Sequence, residues 1–404
     1  MNIFADLLLI NVMNYKLTLI TILLSVLLLS KTGTTFAQTS TSGANYVSTA
    51  VPFLTITPDS RAGAMGDAGV ATSPDASSMH WNPAKFSMID GNYGIAASYT
   101  PWLRDLVDDM SLAYLTGYYR LDKNQVIATS LRYFSLGQII FMEGAQSIPQ
   151  AQNPNEWALD FAYSRKLSDN LSGGIAFRYI RSDLTQSQYV AGIETKAGNA
   201  FAADISVYYQ TKFRRNRKDM IWSWGMNISN IGSKISYTTD DEKEFIPTNL
   251  RLGSALKFEL DKYNSLTIAV DFNKLLVPTP VNGSLNNDNQ DGNIIVRGQT
   301  SNKSVVSGIF SSFSDAPGGM SEEFKEIAWS LGFEYWYQDQ FALRTGYYYE
   351  NESKGNRKYF TAGLGVKLNL FDLDFSYLIP SSQNNPLKNT LRFTLIANLD
   401  KIIK

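Results

Sequence analysis

Cysteine is absent from this chain, histidine occurs once, and charged residues are scarce. Without cysteine there is no disulfide framework and no lipid-modified N-terminus. With His80 alone, a zinc site lacks its donors and a hydrolytic site lacks the base most often used near neutral pH. Charged residues make up 18% of the 404, against roughly 25% in ordinary soluble domains. The net charge of −1 offers no basic face to nucleic acid.

Long apolar runs are also missing, with one exception. Leu17 to Leu29, behind Lys16, leads to Thr35-Phe36-Ala37, the pattern of a secretory signal cleaved after Ala37. Asp6, Asn11 and Asn14 interrupt the residues ahead of it, so a spanning helix fits badly, and Met13 is an alternative start. No later stretch approaches about 18 uninterrupted apolar residues, so the mature chain is expected to have no helical span.

Alternation takes the place of apolar runs. Trp329, Leu331, Phe333, Tyr335 and Tyr337 fall on one face of a run whose other face is Ser330, Gly332, Glu334 and Trp336. Phe360, Ala362, Leu364 and Val366 likewise oppose Thr361, Gly363 and Gly365. A period of two is a strand with two unlike faces. Such runs are expected at 92–100, 110–121, 124–136, 155–166, 171–184, 199–213, 219–231, 248–260, 264–274, 325–338, 340–350, 357–368, 371–379 and 388–399. Their lengths suit the roughly 9–11 residues of a tilted transmembrane strand. Aromatic clusters near run ends (118–119, 208–209, 347–349) fit a membrane–water interface better than a soluble sandwich.

The connections alternate between short and long, so each strand crosses something and returns. Only a closed sheet can cross lipid without leaving backbone groups unpaired. The expected fold is therefore all-β, a 14-stranded antiparallel transmembrane barrel. Long loops are expected at 137–154, 184–198, 232–247 and, largest, 275–323, facing outside. The short turns and both chain ends would face the periplasm. The basic stretch 214–218 reads as one of those turns.

The second face carries Arg132, Asp160, Arg178, Asp204, Arg251, Asp271, Arg344, Lys367, Asp374 and Arg392, signs that can pair in a barrel interior. The division expected is 1–37 signal peptide, 38–91 a mobile segment followed by a plug in or under the lumen, and 92–404 barrel. Dense glycine and alanine from Pro58 to Ala84 suit a segment packed inside another element. The spacing of Gly63, Gly66 and Gly69 is not that of a dinucleotide loop, and no Lys-Ser/Thr follows. The acidic runs 108–109 and 240–242 read as solvated loop. No catalytic residue, metal site or cofactor is expected.

Two segments, Arg61-Ala-Gly-Ala-Met-Gly-Asp-Ala-Gly-Val-Ala71 and Trp81-Asn-Pro-Ala84, resemble the N-terminal signature of FadL-like barrels of the PorV (LptO) type. Asn230 to Tyr237 and Pro247 to Gly253 extend the resemblance along the mature chain. It marks Arg61, Gly63, Gly66, Gly69, Trp81, Asn82 and Pro83 as the plug signature. It implies an outer-membrane component of the type IX secretion system of Bacteroidota. Such a protein binds the C-terminal signal domain of secreted cargo as that cargo leaves a large translocon barrel, then carries it to the surface attachment complex. The chain departs from many outer-membrane barrels in ending Leu399-Asp-Lys-Ile-Ile-Lys404 rather than on an aromatic residue.

Two functions fit such a barrel. A docking platform would display apolar residues on outer loops, and Trp102, Leu103, Ile139, Ile140, Phe141, Ile309, Phe310, Phe313 and Met320 are the candidates, unless those of the largest loop fold back as a lid. A conduit for small hydrophobic molecules, the alternative, needs an apolar pocket inside the wall. The small and charged second face favours docking, with cargo signal domains, translocon and attachment proteins, and outer-membrane lipid as partners.

Overall fold

The structure, a computed structural model, describes residues 46–104, 107, 109–141, 150–186, 189–190, 193–215, 217–238, 243–279, 303–382 and 385–401. The expected signal peptide 1–37, the Ser/Thr-rich stretch as far as residue 45, Asp108, the acidic run 240–242 and the stretch 282–293 lie outside them, as does the side chain of Phe141.

Fourteen antiparallel strands close into one barrel. They are β1 Tyr93–Pro101, β2 Ser111–Arg120, β3 Gln125–Ser135, β4 Asn155–Lys166, β5 Leu171–Asp183, β6 Gly198–Arg215 and β7 Lys218–Gly232, followed by β8 Asn249–Glu259, β9 Asn264–Leu275, β10 Ala328–Tyr337, β11 Phe341–Tyr349, β12 Lys358–Lys367, β13 Phe371–Pro380 and β14 Leu391–Asn398. Each strand pairs with its sequence neighbours, and β1 closes on β14 through pairs such as Ile95 with Ala397 and Tyr99 with Phe393. No sheet edge is left for lipid to meet.

The sidedness follows the pleat. On β3, Ile127, Leu131 and Tyr133 face outward, while Val126, Ala128, Ser130, Arg132 and Phe134 are buried inside. Exposed Phe161, Phe177, Phe201, Leu343 and Phe360 continue the outer apolar belt around the wall. The aromatic clusters divide by the same rule. Tyr119 stacks on Tyr93 outside, whereas Tyr118 turns in against Phe86. Tyr209 packs with Trp222 and Trp224, while Tyr208 and Tyr348 are buried inside.

Every strand end falls within three residues of the expected one, with two instructive differences. The turn expected over the basic residues 214–218 is shorter than that: β6 runs to Arg215 and β7 starts at Lys218, pairing Arg214 with Asp219 and Arg215 with Lys218. Beyond the membrane both strand faces meet water, so polar residues extend the ladder without disturbing it. Loop 276–327 is longer than expected and its described part is partly helical, forming α3 Val305–Ser311 and α4 Met320–Lys325. Two small hairpins, Ile139–Phe141 with Gln150–Gln152 and Tyr189–Val190 with Ile193–Glu194, decorate two other long loops.

The segment 46–92 fills the lumen. It contains a 3-10 turn Pro52–Thr55, α1 Ser60–Ala64, α2 Ser78–Trp81 and a 3-10 helix Pro83–Met88. Its buried apolar residues, among them Phe53, Met65, Met79, Trp81 and Phe86, form the core with the inner wall. The segment enters at the long-loop end, where Ala50 N donates to Phe245 O at 2.9 Å and Phe53 stacks on Phe134. It leaves at the short-turn end, where Asp400 accepts from Asn92 N and Nδ2 at 2.5 and 3.0 Å beside the β1–β14 seam. The described chain therefore has its two ends at opposite mouths of the barrel. Both were expected on one side, because fourteen strands alone return the chain to its starting side. The plug supplies one further crossing.

Candidate functional site

Inside the barrel, buried charge ties the plug to the wall. Arg61, half-buried on α1, gives Nε and Nη2 to the Glu334 carboxylate at 2.8 Å each, and Nη1 to Asp75 at 2.8 Å. Glu334 also accepts from Arg344 Nε at 2.8 Å, and Arg344 Nη1 reaches Asp374 at 2.5 Å. On the far wall Arg178 bridges Asp160 at 2.5 Å and Asp204 at 3.2 Å. Within these two clusters every charge has a partner of opposite sign, which offsets much of the cost of burying it.

Other inward charges serve the plug backbone instead of one another. Asp271 accepts from Gly69 N and Val70 N at 2.7 and 2.9 Å. Arg132 donates to Leu54 O at 2.8 Å, and Arg392 to Thr57 O at 3.3 Å. Arg132 and Arg251 also close on the ring of His80, at 2.7 Å from Nδ1 and 3.3 Å from Nε2, and Arg251 Nη1 donates to His80 O. The single histidine is thus buried between two guanidiniums, a packing position with no room for a substrate. Lys367, the last residue of β12, keeps the inward parity of Thr361, Gly363 and Gly365 but is exposed, because it lines the cavity at the short-turn mouth.

The signature residues explain themselves by close approach. Gly66 has φ +68°, and a Cβ there would lie 2.6 Å from Tyr347 N; its own amide donates to Thr361 Oγ1. The wall reciprocates, since a Cβ on Gly346 would lie 2.1 Å from Gly66 N. At Gly69 a Cβ would fall 2.3 Å from the Trp81 ring. Gly63 packs on the Arg392 side chain. Trp81 Nε1 donates to Asp59, whose other oxygen caps α1 at Ala62 N. Asn82 spans Val70 O and Val207 O through its amide, and Pro83 opens the 3-10 helix it caps. Small residues on the inner face therefore admit a plug. They do not line a channel.

Among the described residues a cavity lies at each mouth. The larger, about 840 Å³, lies at the short-turn end and is lined by Arg61, Asp75, Lys257, Lys367 and Asp374 among others. The smaller, about 530 Å³, lies at the long-loop end beside Tyr46, Arg251, Glu350, Lys354 and Arg357. Charged side chains border both.

At the long-loop end the candidate contact residues part company. Trp102 turns toward the buried cluster formed by Val51, Phe53 and Phe134, and Leu103 is half-buried with φ +50°. Ile139 and Ile140 stand exposed on their small hairpin. Ile309 is half-buried, whereas Phe310 (73% exposed), Phe313 and Met320 face solvent. Val306 and Phe324 share that exposure. Phe324 was hidden from sequence reading because it abuts the expected start of β10.

A buried ionic cluster holds these helices down. Glu323 accepts from Lys274 Nζ at 2.9 Å and from Ala316 N at 2.8 Å. Glu326 takes Lys274 at 2.6 Å, Lys354 at 2.9 Å and Thr279 Oγ1 at 2.7 Å, while Glu322 takes Lys354 at 2.6 Å. Burial disfavours the Glu326 charge, but these donors outweigh it and hold its carboxyl below the ordinary 4.5. Gly308 of α3 rests against Phe245 and Pro278. Apolar residues are thus presented from a fixed base. No sequence spacing announced it, since Lys274, Glu323 and Lys354 come from three separate elements.

A closed barrel with an apolar outer belt, aromatic strand ends and its own N-terminal segment packed in the lumen is an integral outer-membrane protein. The family model of the type IX secretion system protein PorV matches residues 39–282, more than half of the chain. The chain belongs to that family and is an outer-membrane component of type IX secretion.

Among solved structures it is similar to the Pseudomonas putida toluene transporter TodX, at 10% identity and TM-score 0.45, over 88% of this chain and 98% of that one. The Ralstonia pickettii toluene transporter TbuX matches at 11% identity and TM-score 0.41, over 84% and 96%. A Pseudomonas aeruginosa FadL homologue matches at 9% and 0.40, over 85% and 99%. Likeness this distant says nothing of what the present chain carries. No curated protein matches it.

Proposed function

We propose that the protein binds the C-terminal signal domain of secreted cargo on its long-loop face, receives it beside the translocon and carries it to the attachment complex. The long loops then face outside, and the short turns and residue 401 face the periplasm. One observation carries this reading: Val306, Phe310, Phe313, Met320 and Phe324 stand exposed on and between α3 and α4 above the buried Lys274–Glu323–Glu326–Lys354 cluster. Exposed apolar side chains on a rigid support are what a protein interface leaves behind when its partner is absent. No catalytic step belongs to this function. A conduit for small hydrophobic molecules is disfavoured by the packed lumen and by the charges bordering both cavities.

The test is the double variant Phe310→Asp with Phe324→Asp, assayed for barrel level, surface export and cargo recovery from detergent extracts. Normal barrel level with loss of cargo signal domains from the pull-down is expected. Unchanged export at normal barrel level would remove this face as the docking element. Recovery of fatty acid alone from the unaltered protein would favour the conduit.

A further inference from the structure

We infer that the segment Tyr46–Thr57 is displayed at the cell surface, the plug having been threaded from the outer mouth inward, so that a partner docked on the long loops meets this segment too. The inference rests on the outward orientation of those loops.

Three levels of the lumen fix the direction of the thread. At the long-loop end Ala50 N bonds Phe245 O, and Leu54 O accepts from Arg132. At mid-height the amides of Gly69 and Val70 bond Asp271. At the short-turn end Ser87 N donates to Ser164 Oγ, Arg120 donates to Ser87 O and Ile89 O, and Asn92 meets Asp400. Between its two ends the chain dips and returns: Asp75 lines the short-turn cavity, His80 comes back to Arg132, the side chain that also holds Leu54 O, and Ser87 lies at the short-turn end again. The net passage is from the long-loop mouth to the short-turn mouth, and the plug touches the wall closely enough that a single Cβ on Gly346 or Gly66 would clash with backbone.

The segment is also partly open to solvent at the mouth. Val51, Phe53 and Leu54 are buried, but Tyr46 is 52% exposed, and Ser48 and Pro52 are exposed. It is therefore a strap: its apolar side chains seal the outer mouth and its other side is offered outward. A strap sealed by its own buried residues must leave before the lumen can pass anything.

The absence of cysteine makes the test clean. Single variants Ser48→Cys on the strap, Ser307→Cys on α3 and Asp169→Cys at a short turn are treated on intact cells with a membrane-impermeant maleimide. All three positions are exposed. Ser48→Cys is expected to label from outside to the same extent as Ser307→Cys, and Asp169→Cys only after the outer membrane is permeabilised. If Ser48→Cys instead follows Asp169→Cys while Ser307→Cys labels on intact cells, the threading is wrong. If Ser48→Cys labels only after denaturation, the strap is not displayed. Should Ser307→Cys itself need permeabilisation, the loop orientation falls, and with it surface display. Threading then stands or falls separately, on whether Ser48→Cys follows its neighbour across the mouth.

Discussion

The lumen and the outer loop face are assembled by opposite arrangements of the same materials. In the lumen, charges lie between plug and wall and apolar residues face a glycine- and alanine-lined surface. On α3 and α4 the charges are underneath, and the apolar residues face water. Both regions contain buried ion pairs, although Arg132, Arg251 and Asp271 in the lumen bond plug backbone instead, so pairing alone does not distinguish structure from function. What differs is which residues are left without a protein neighbour: almost none in the lumen, and five large apolar side chains on the loop.

The contrast is broken most severely in the lumen. Glu334→Ala strands Arg61 and Arg344 without their shared carboxylate, and removing one partner from a buried ionic network costs about 3–5 kcal/mol. The expected outcome is a clear fall in the temperature at which the barrel loses its folded mobility on an unboiled gel. The Phe310→Asp, Phe324→Asp pair should leave that temperature within a degree or two, since surface changes away from such networks stay within about 0.5 kcal/mol. Equal destabilisation by the two would erase the distinction drawn here.

A smaller effect is expected at the base of the loop. Lys354→Ala leaves Glu322 without its lysine and Glu326 with Lys274 and Thr279, costing about 1–3 kcal/mol locally. Limited proteolysis between Lys303 and Lys325 should accelerate while the barrel stays resistant. An unchanged cleavage rate would mean that the helices are held by packing on Phe245 and Pro278 instead.

The mildest perturbation is acid. Glu326 is held below its ordinary 4.5 when the loop is docked. Below that value a released loop binds a proton that the docked loop refuses, so docking weakens as pH falls and is complete above it. Hydrogen exchange at α4, corrected for its intrinsic pH dependence, should quicken between neutral pH and pH 4 relative to the barrel strands. A constant ratio would exclude Glu326 as the group responsible.

How much of this could be read beforehand depended on how local the cause is. Strands were legible because lipid outside and a plug inside impose two unlike faces on every run, Trp329 to Tyr337 being typical. The plug was legible from the density of Gly63, Gly66 and Gly69 and from the segment Trp81-Asn82-Pro83. Its direction was not, because that is decided by Phe134 and Phe245, far away in sequence. Charges were placed correctly on the inner face but their partners were not, since Arg132, Arg251 and Asp271 bond backbone that no spacing reveals. Lys367 follows the period too, but at a strand end its inner face opens on the mouth and not on the plug. The loop cluster of Lys274, Lys354 and Glu326 left no local signal at all.

The seam between β1 and β14 carries a consequence for how the protein is made. Asn92 and Asp400 clasp across 308 residues of chain, and the strands beside them pair first with last. Such a contact cannot form until synthesis and export of the whole chain are finished, and contacts so remote in sequence slow folding. Until that moment β1 and β14 are open edges, ready to pair with any available strand. The plug must be inside before they meet. Closing the ring is therefore the last irreversible-looking step of assembly, and it locks the cork in place.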